Sequence, residues 1–240
     1  MARDRDALLR ARGRVLVPVV LARTPGRLAR RGRIALRIAA GALASPGEAR
    51  RVTGPPGAFL QGLRARARSA KHKLVFPEGT DPRVHESLRD ALSSELYEAI
   101  LLGPPDSLRE ALRAAGIDER RVTVLDPASE ERVEHAAVRL HELRAHHGLT
   151  MGDARELARD PLLQAALLVR DGEAAGAVAG AVRPTADVIR AGLRGLGLRG
   201  GVDILSSSFY MVLDRLDPRA DDPAPSVLTF TDAGVVPDPT

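Results

Sequence analysis

From residue 59 onward, short apolar runs alternate with stretches whose apolar residues recur at helical spacing. Phe59–Ser69 sets Phe59, Leu60 and Leu63 on one side and arginines on the other, which predicts a short helix. Lys73–Phe76 is a compact apolar run stopped by Pro77, the mark of a buried strand. The alternation continues. His85–Leu96 has helical spacing, and Glu98–Leu102 reads as a strand closed by Gly103-Pro104-Pro105. Ser107–Ala115 reads as a helix with Asp106 placed to cap it. Val122–Leu125 is a strand closed by Asp126-Pro127. Two amphipathic helices follow, a long one over Glu130–His146 and a second over Thr150–Ala158, with Thr150 as its N-cap and Asp153 three residues on. Pro161–Arg170 is a third helix, Gly176–Val182 a Gly/Ala/Val strand and Thr185–Leu193 a helix. Ile204–Val212 is apolar enough for a buried strand or a buried helix.

Strands alternating with helices in this way predict an α/β fold with a largely parallel sheet. Ligands of such sheets bind beyond the carboxyl ends of the strands. That points to three loops, Pro77–Arg83, Pro104–Ser107 and Arg183–Arg190. The strongest breaker is Thr53–Gly57, TGPPG. It divides a leader, residues 1–58, from a first α/β domain over 59–204, with 205–240 as the beginning of a second. No internal repeat is visible.

Composition and charge narrow the chemistry. The chain has four Phe, two Tyr and no Trp, so its core is aliphatic and base stacking is a poor binding mode. Cysteine is absent, which excludes disulfides, thiolate metal ligation and a covalent acyl-cysteine intermediate. The net charge of +5 is uneven: residues 1–58 carry 13 Arg against Asp4, Asp6 and Glu48, a net of +10, and residues 59–240 carry −5. The leader is therefore expected to be a basic, poorly ordered extension. Its recurrent basic residues do not match a secretory signal. Charge alone would support a nucleic-acid-binding module on residues 1–58, but no aromatic residue or reading motif accompanies it. Val15–Ala22 is too short to span a membrane and Ile34–Ala44 is interrupted by Arg37, so no membrane partner is expected.

Three stretches carry candidate chemistry. Pro77–Arg83 holds Glu78, Asp81 and Arg83, and reads as a strand-to-helix turn with Asp81 capping the next helix. His141, His146 and His147 tempt a metal reading. His141 and His146 are five apart, however, and do not share a helix face, so they are read as solvated residues near the negative end of the helix and no metal is expected. Arg144 beside them reads either as a surface charge or as a cation reaching out of the helix toward an anion. The third stretch is Gly180–Arg190. A Gly/Ala strand lets the backbone approach a ligand, Thr185 starts a helix whose free N–H groups favour phosphate, and Arg183 and Arg190 bracket that start. An oxyanion site and a capped helix with solvated arginines both fit.

Three strings together resemble the phosphate acetyl- and butyryltransferases, the phosphotransacetylase family. They are KLVFPEGTDPRV (Lys73–Val84), LRAHHGLTMGDARELARDPLLQAALLVRDGEAAGAVAGAVRPTADVIRAGL (Leu143–Leu193) and FTDAGVVPDPT (Phe230–Thr240), in the family's order and spacing. The resemblance implies acyl transfer between coenzyme A and phosphate, with acyl-CoA, phosphate and acyl phosphate as substrates and no further cofactor. It implies a three-layer parallel-sheet domain of phosphotransacetylase type, incomplete here, with the start of a second α/β domain. A homodimer and a cytoplasmic location come with it. By position, Arg144 and Arg190 match catalytic arginines of the family. Thr185 and Asp187 fall on the loop against the acyl-phosphate site, where Arg183 is an added cation able to serve phosphate, and Ser206 and Ser207 fall near the junction of the family's two domains. Arg183-Pro184 departs from the His-Ser or His-Pro often found there. The family's chain runs well beyond Pro-Asp-Pro-Thr, so the resemblance describes a front portion cut short at Thr240, expected to have little activity by itself. A non-catalytic relative that binds acetyl-CoA or acyl phosphate as a regulator is the alternative.

Overall fold

A computed structural model describes residues 19–22, 37–38, 56–198, 205, 208–213 and 226–231. In chain order the strands are β1 (Val19–Ala22), β2 (Arg37–Ile38), β3 (Lys73–Phe76), β4 (Glu98–Leu102), β5 (Val122–Leu125), β6 (Gly176–Ala179), β7 (Ser208–Leu213) and β8 (Ser226–Thr231). The helices are α1 (Pro56–Ala70), α2 (Pro82–Ser93), α3 (Pro105–Ala114), α4 (Glu130–Arg144), α5 (Met151–Leu157), α6 (Pro161–Asp171) and α7 (Thr185–Gly195). The main sheet has the order β2-β1-β6-β3-β4-β5. Its β6-β3-β4-β5 part is parallel, as the alternation of strands and helices predicts.

Period-two alternation in the strands builds three layers. Val75, Ile100 and Leu102 face one side, where α6 and α7 supply Leu162, Ala166, Leu168, Val169, Val188 and Ala191. Phe76, Ala99 and Leu101 face the other, against Val84, Leu88 and Leu92 of α2 and Leu108 and Leu112 of α3. Strand β4 is buried from Ala99 to Leu102, as a central parallel strand covered on both faces must be. Helix α6 is buried from Leu162 through Val169. Its second side, Leu163 and Leu167, is covered by Val133, Ala137 and Leu140 of α4 and by Ala154 of α5. That double coverage explains why Pro161–Arg170 is apolar all round rather than amphipathic.

One polar residue lies in that helix. Gln164 is 1% exposed, and its Nε2 donates to Pro127 O at 2.7 Å and Ala158 O at 2.9 Å. It ties the loop before α4 and the end of α5 to the buried helix. Gln164→Leu would leave both carbonyls without this donor and is expected to destabilise by about 1–3 kcal/mol, read as a lower urea midpoint at unchanged slope.

Several boundaries differ from the sequence expectation, each for a local reason. Helices α2 and α3 begin at Pro82 and Pro105, earlier than His85 and Ser107. Proline at the first helical position has its φ preset and lacks only an N–H that would have no partner there. Asp106 therefore sits inside the first turn of α3 and does not cap it; the N-cap is Pro104. The caps expected at Asp81 and Thr150 are present, accepting from Arg83 N at 2.8 Å and Asp153 N at 3.1 Å. Strand β6 stops at Ala179, short of the expected Val182, because Gly180 turns at φ 97. Two strands fall in the expected leader: β1 pairs antiparallel with β6, Val19 opposite Ala179 and Ala22 opposite Gly176, and β2 pairs with β1. The ambiguous stretch at Ile204–Val212 contributes β7, which pairs antiparallel with β8.

Candidate oxyanion site

The carboxyl ends of β3 and β6 lie side by side, so the loops that follow them meet. Glu78, two residues beyond β3, reaches across to the β6–α7 turn. Its Oε2 accepts from Gly180 N at 2.8 Å and Ala181 N at 2.7 Å, and its Oε1 from Val182 N at 3.0 Å and Arg183 N at 2.6 Å. Arg83, on the first turn of α2, donates to Ala181 O and is gripped by Asp81 through Nε at 2.9 Å and Nη2 at 2.7 Å. The Arg83 side-chain hydrogen bond, first among several contributions, holds the Asp81 carboxyl below the usual carboxylate range.

Helix α7 starts immediately after this turn, with Pro184 as its N-cap and no side-chain cap. Thr185 is its first residue and is exposed; the N–H groups of Thr185 and Ala186 lie in the turn where a helix offers no acceptor of its own. Asp187 takes Arg183 on one oxygen, Nη2 at 3.1 Å, and Arg190 on the other, Nη1 at 2.7 Å. Arg183 is also 3.7 Å from Asp160, the cap of α6. Hydrogen bonds from Arg183 and then Arg190 lower the Asp187 pKa. A depressed carboxylate adds stability above its unfolded pKa, about 3.9, and that contribution disappears as pH falls through the folded value. Asp187→Asn is therefore expected to lower stability at neutral pH and to converge with the parent chain in acid, in urea melts run from pH 7 down to pH 3.

Arg144 closes α4 and points at the far end of α7, donating to Leu193 O and, through Nε at 3.1 Å, to Arg194 O. It is thus anchored on the negative end of that helix. A cleft of about 1080 Å³ opens there, whose wall includes Arg144, Arg190, Arg194 and His147 with Asp153 opposed to them. A smaller cavity of about 230 Å³ holds Arg183, Asp187 and Asp160, and shares Arg190 and Arg194 with the cleft. Of the residues singled out in the sequence, Arg183, Asp187 and Arg190 meet in one cluster, Thr185 opens their helix, and Arg144 reaches the same cleft from α4. Ser206 and Ser207 lie outside the described residues. His146 and His147 sit exposed on a 3-10 turn, Ala145–His147, with ring centroids 4.0 Å apart. Among the described residues no group of three His, Asp or Glu side chains is arranged to hold a metal ion.

Two features escaped the sequence reading. Arg194 follows Arg190 by four positions, so helical spacing alone would have placed it on the same face. Glu78 was read only as part of a turn. The signal available was the Gly-containing end of β6, whose N–H groups need an acceptor from somewhere.

The Phosphate acetyl/butaryl transferase family model matches residues 58–240. The chain is 32% identical over 181 residues to the phosphate acetyltransferase of Thermoanaerobacterium thermosaccharolyticum, covering 75% of this chain and 53% of that protein. It is 36% identical over 177 residues to that of Paracoccus denitrificans, covering 74% and 51%. Among solved structures, a phosphotransacetylase from Streptococcus pyogenes superposes with a TM-score of 0.60 at 28% identity, over 65% of this chain and 47% of that one. The chain thus spans about half the length of these two relatives. With the family model matched over residues 58–240, well over half of the chain, the chain belongs to the phosphate acetyl/butaryl transferase family.

Proposed function

We propose that this chain carries the phosphate side of an acyl-transfer site, where acyl-CoA and phosphate exchange with acyl phosphate and coenzyme A. The observation that supports it most is the cluster of Arg183, Asp187 and Arg190 at the start of α7, which shares Arg190 and Arg194 with a cleft large enough for a substrate. In the reaction a coenzyme A thiolate attacks the acyl carbon, the carbon–sulfur bond forms, and the bond to the phosphate oxygen breaks with its electron pair going to phosphate. Negative charge therefore grows on the leaving oxygen, where guanidinium donors stabilise it. Arg190 is assigned that role, with Arg144 as the second catalytic arginine. Arg183, Thr185 and Asp187 are assigned to substrate binding: Arg183 and the first N–H groups of α7 toward phosphate oxygens, Asp187 bridging Arg183 and Arg190 with one oxygen to each. Ser206 and Ser207 keep their assignment by resemblance. Coenzyme A enters as a substrate, and the chemistry calls for no cofactor.

The same reading proposes the division into residues 1–58, 59–204 and 205–240; β7 and β8, paired in a sheet of their own, support its second boundary, whereas β1 and β2 of the leader join the main sheet. It includes a homodimeric, cytoplasmic setting, carried by the resemblance. No helix among the described residues is long and apolar enough to cross a membrane.

Incubating the chain with acetyl-CoA and phosphate, and trapping acetyl phosphate as its hydroxamate, tests the reading. A small yield that needs both substrates, far below that of a full-length relative, and that falls further with Arg190→Ala is the expected result. Acetyl-CoA bound without product would contradict it and favour a regulatory domain.

A further inference from the structure

The turn that presents Arg183 is built around a carboxylate from another loop. Four successive N–H groups, Gly180 to Arg183, close on Glu78 at 2.6 to 3.0 Å. Successive main-chain N–H groups curled round one anion form a nest, and hydrogen bonds to an ionised acceptor are roughly twice as strong as neutral ones. Gly180 opens the nest in the left-handed region, φ 97. The opposite polarity of the turn is taken up as well, since Arg83 donates to Ala181 O. Both partners come from the Pro77–Arg83 loop. The clasp is half-buried at Glu78, while Val182, Arg183 and Thr185 beyond it are exposed. Little packing is therefore present to hold the turn by shape.

We infer that Glu78 is the positioning residue of the phosphate edge. It lines neither of the two cavities and meets the arginine cluster only through the main-chain N–H of Arg183, yet by filling the Gly180–Arg183 nest it sets where Arg183 leaves the backbone, and so its reach to Asp187 and Asp160. The link to substrate rests on the proposed acyl-transfer site; the clasp itself does not. Glutamine is nearly isosteric but offers one acceptor and one donor. Its NH2 would face two of the four N–H groups, so Glu78→Gln opens half of the nest.

The experiment uses the full 240-residue chain, isotopically labelled, as parent, Glu78→Gln, Arg183→Ala and the double variant. Amide resonances and hydrogen exchange report the turn, and titration with inorganic phosphate reports the site. In Glu78→Gln the amides of Gly180–Arg183 are expected to move and lose protection, while those of α6 stay in place. Phosphate affinity is expected to fall by roughly tenfold in each single variant, about the worth of one charge-assisted hydrogen bond. The double variant should bind no more weakly than Arg183→Ala, because the two residues act as one unit. Additive losses, or parent-like affinity in Glu78→Gln, would overturn the positioning role. Turn amides that do not respond would overturn the clasp. A responsive turn with no phosphate binding by the parent would overturn the phosphate reading and Glu78's link to substrate, leaving only the clasp. If Glu78→Gln does not fold, Glu78→Asp, one methylene short with its charge kept, carries the same comparison.

Discussion

A single added methyl at Gly79 is expected to destabilise the chain by about 2–3 kcal/mol. A Cβ on Gly79 would stand 2.6 Å from Leu102 O and 3.2 Å from Leu101 Cβ. The obstacle is backbone oxygen at the end of a buried central strand, which cannot swing away as a side-chain tip would. The same residue is held on both sides, its N–H donating to Leu102 O at 3.3 Å and its carbonyl lying 2.6 Å from His85 Nε2. Moving it drags Glu78 with it, so Gly79→Ala should also loosen the Gly180–Arg183 turn. Urea unfolding reads the stability, as a lower midpoint at unchanged slope. Gly62→Ala on the exposed face of α1, where a Cβ meets nothing within 4 Å, is the control. There the loss of glycine in a helix should stabilise by about 0.5–1 kcal/mol.

The second large effect is on binding. Arg190→Ala is expected to weaken phosphate by roughly 10- to 100-fold, the range of one to two charge-assisted hydrogen bonds lost. Arg190 borders both cavities and, apart from its bond to Asp187, its guanidinium lies toward solvent, with the side chain 56% exposed. Arg190→Lys should fall between, since it keeps the charge without the planar fork. Calorimetric titration at constant ionic strength separates this from bulk screening. Folding should be little affected, because Asp187 retains Arg183.

The sheet domain was legible from local pattern because its determinants are local. Lys73–Phe76, Glu98–Leu102 and Val122–Leu125 are bounded by turn residues and appear as strands at those limits. Asp81 and Thr150 cap within three residues of themselves. Helices α2 and α3 start earlier than their apolar spacing indicates, because proline at the first helical position begins a helix without adding to that spacing. The end of β6 was set too late because its N–H groups are claimed by Glu78, more than a hundred positions earlier in the chain. Arg144 shows the same limit. The sequence leaves it as a surface charge or as a cation reaching toward an anion, whereas it lies on the carbonyls of Leu193 and Arg194, 49 and 50 positions away. Contacts of that range leave no period in a sequence. The pattern of Gly180–Arg190 already set Arg183 and Arg190 about a helix start, while the resemblance alone singled out Asp187 and joined Arg144 to Arg190.

The central claim is that the start of α7 is a phosphate site. Phosphorus-detected titration of the full chain with inorganic phosphate and with acetyl phosphate tests it directly, in the parent and in an Arg183→Ala, Arg190→Ala double variant. The account predicts one saturable site in the parent for which the two ligands compete, and its loss in the double variant. Independent binding of the two ligands, or the same affinity in parent and double variant, would contradict it.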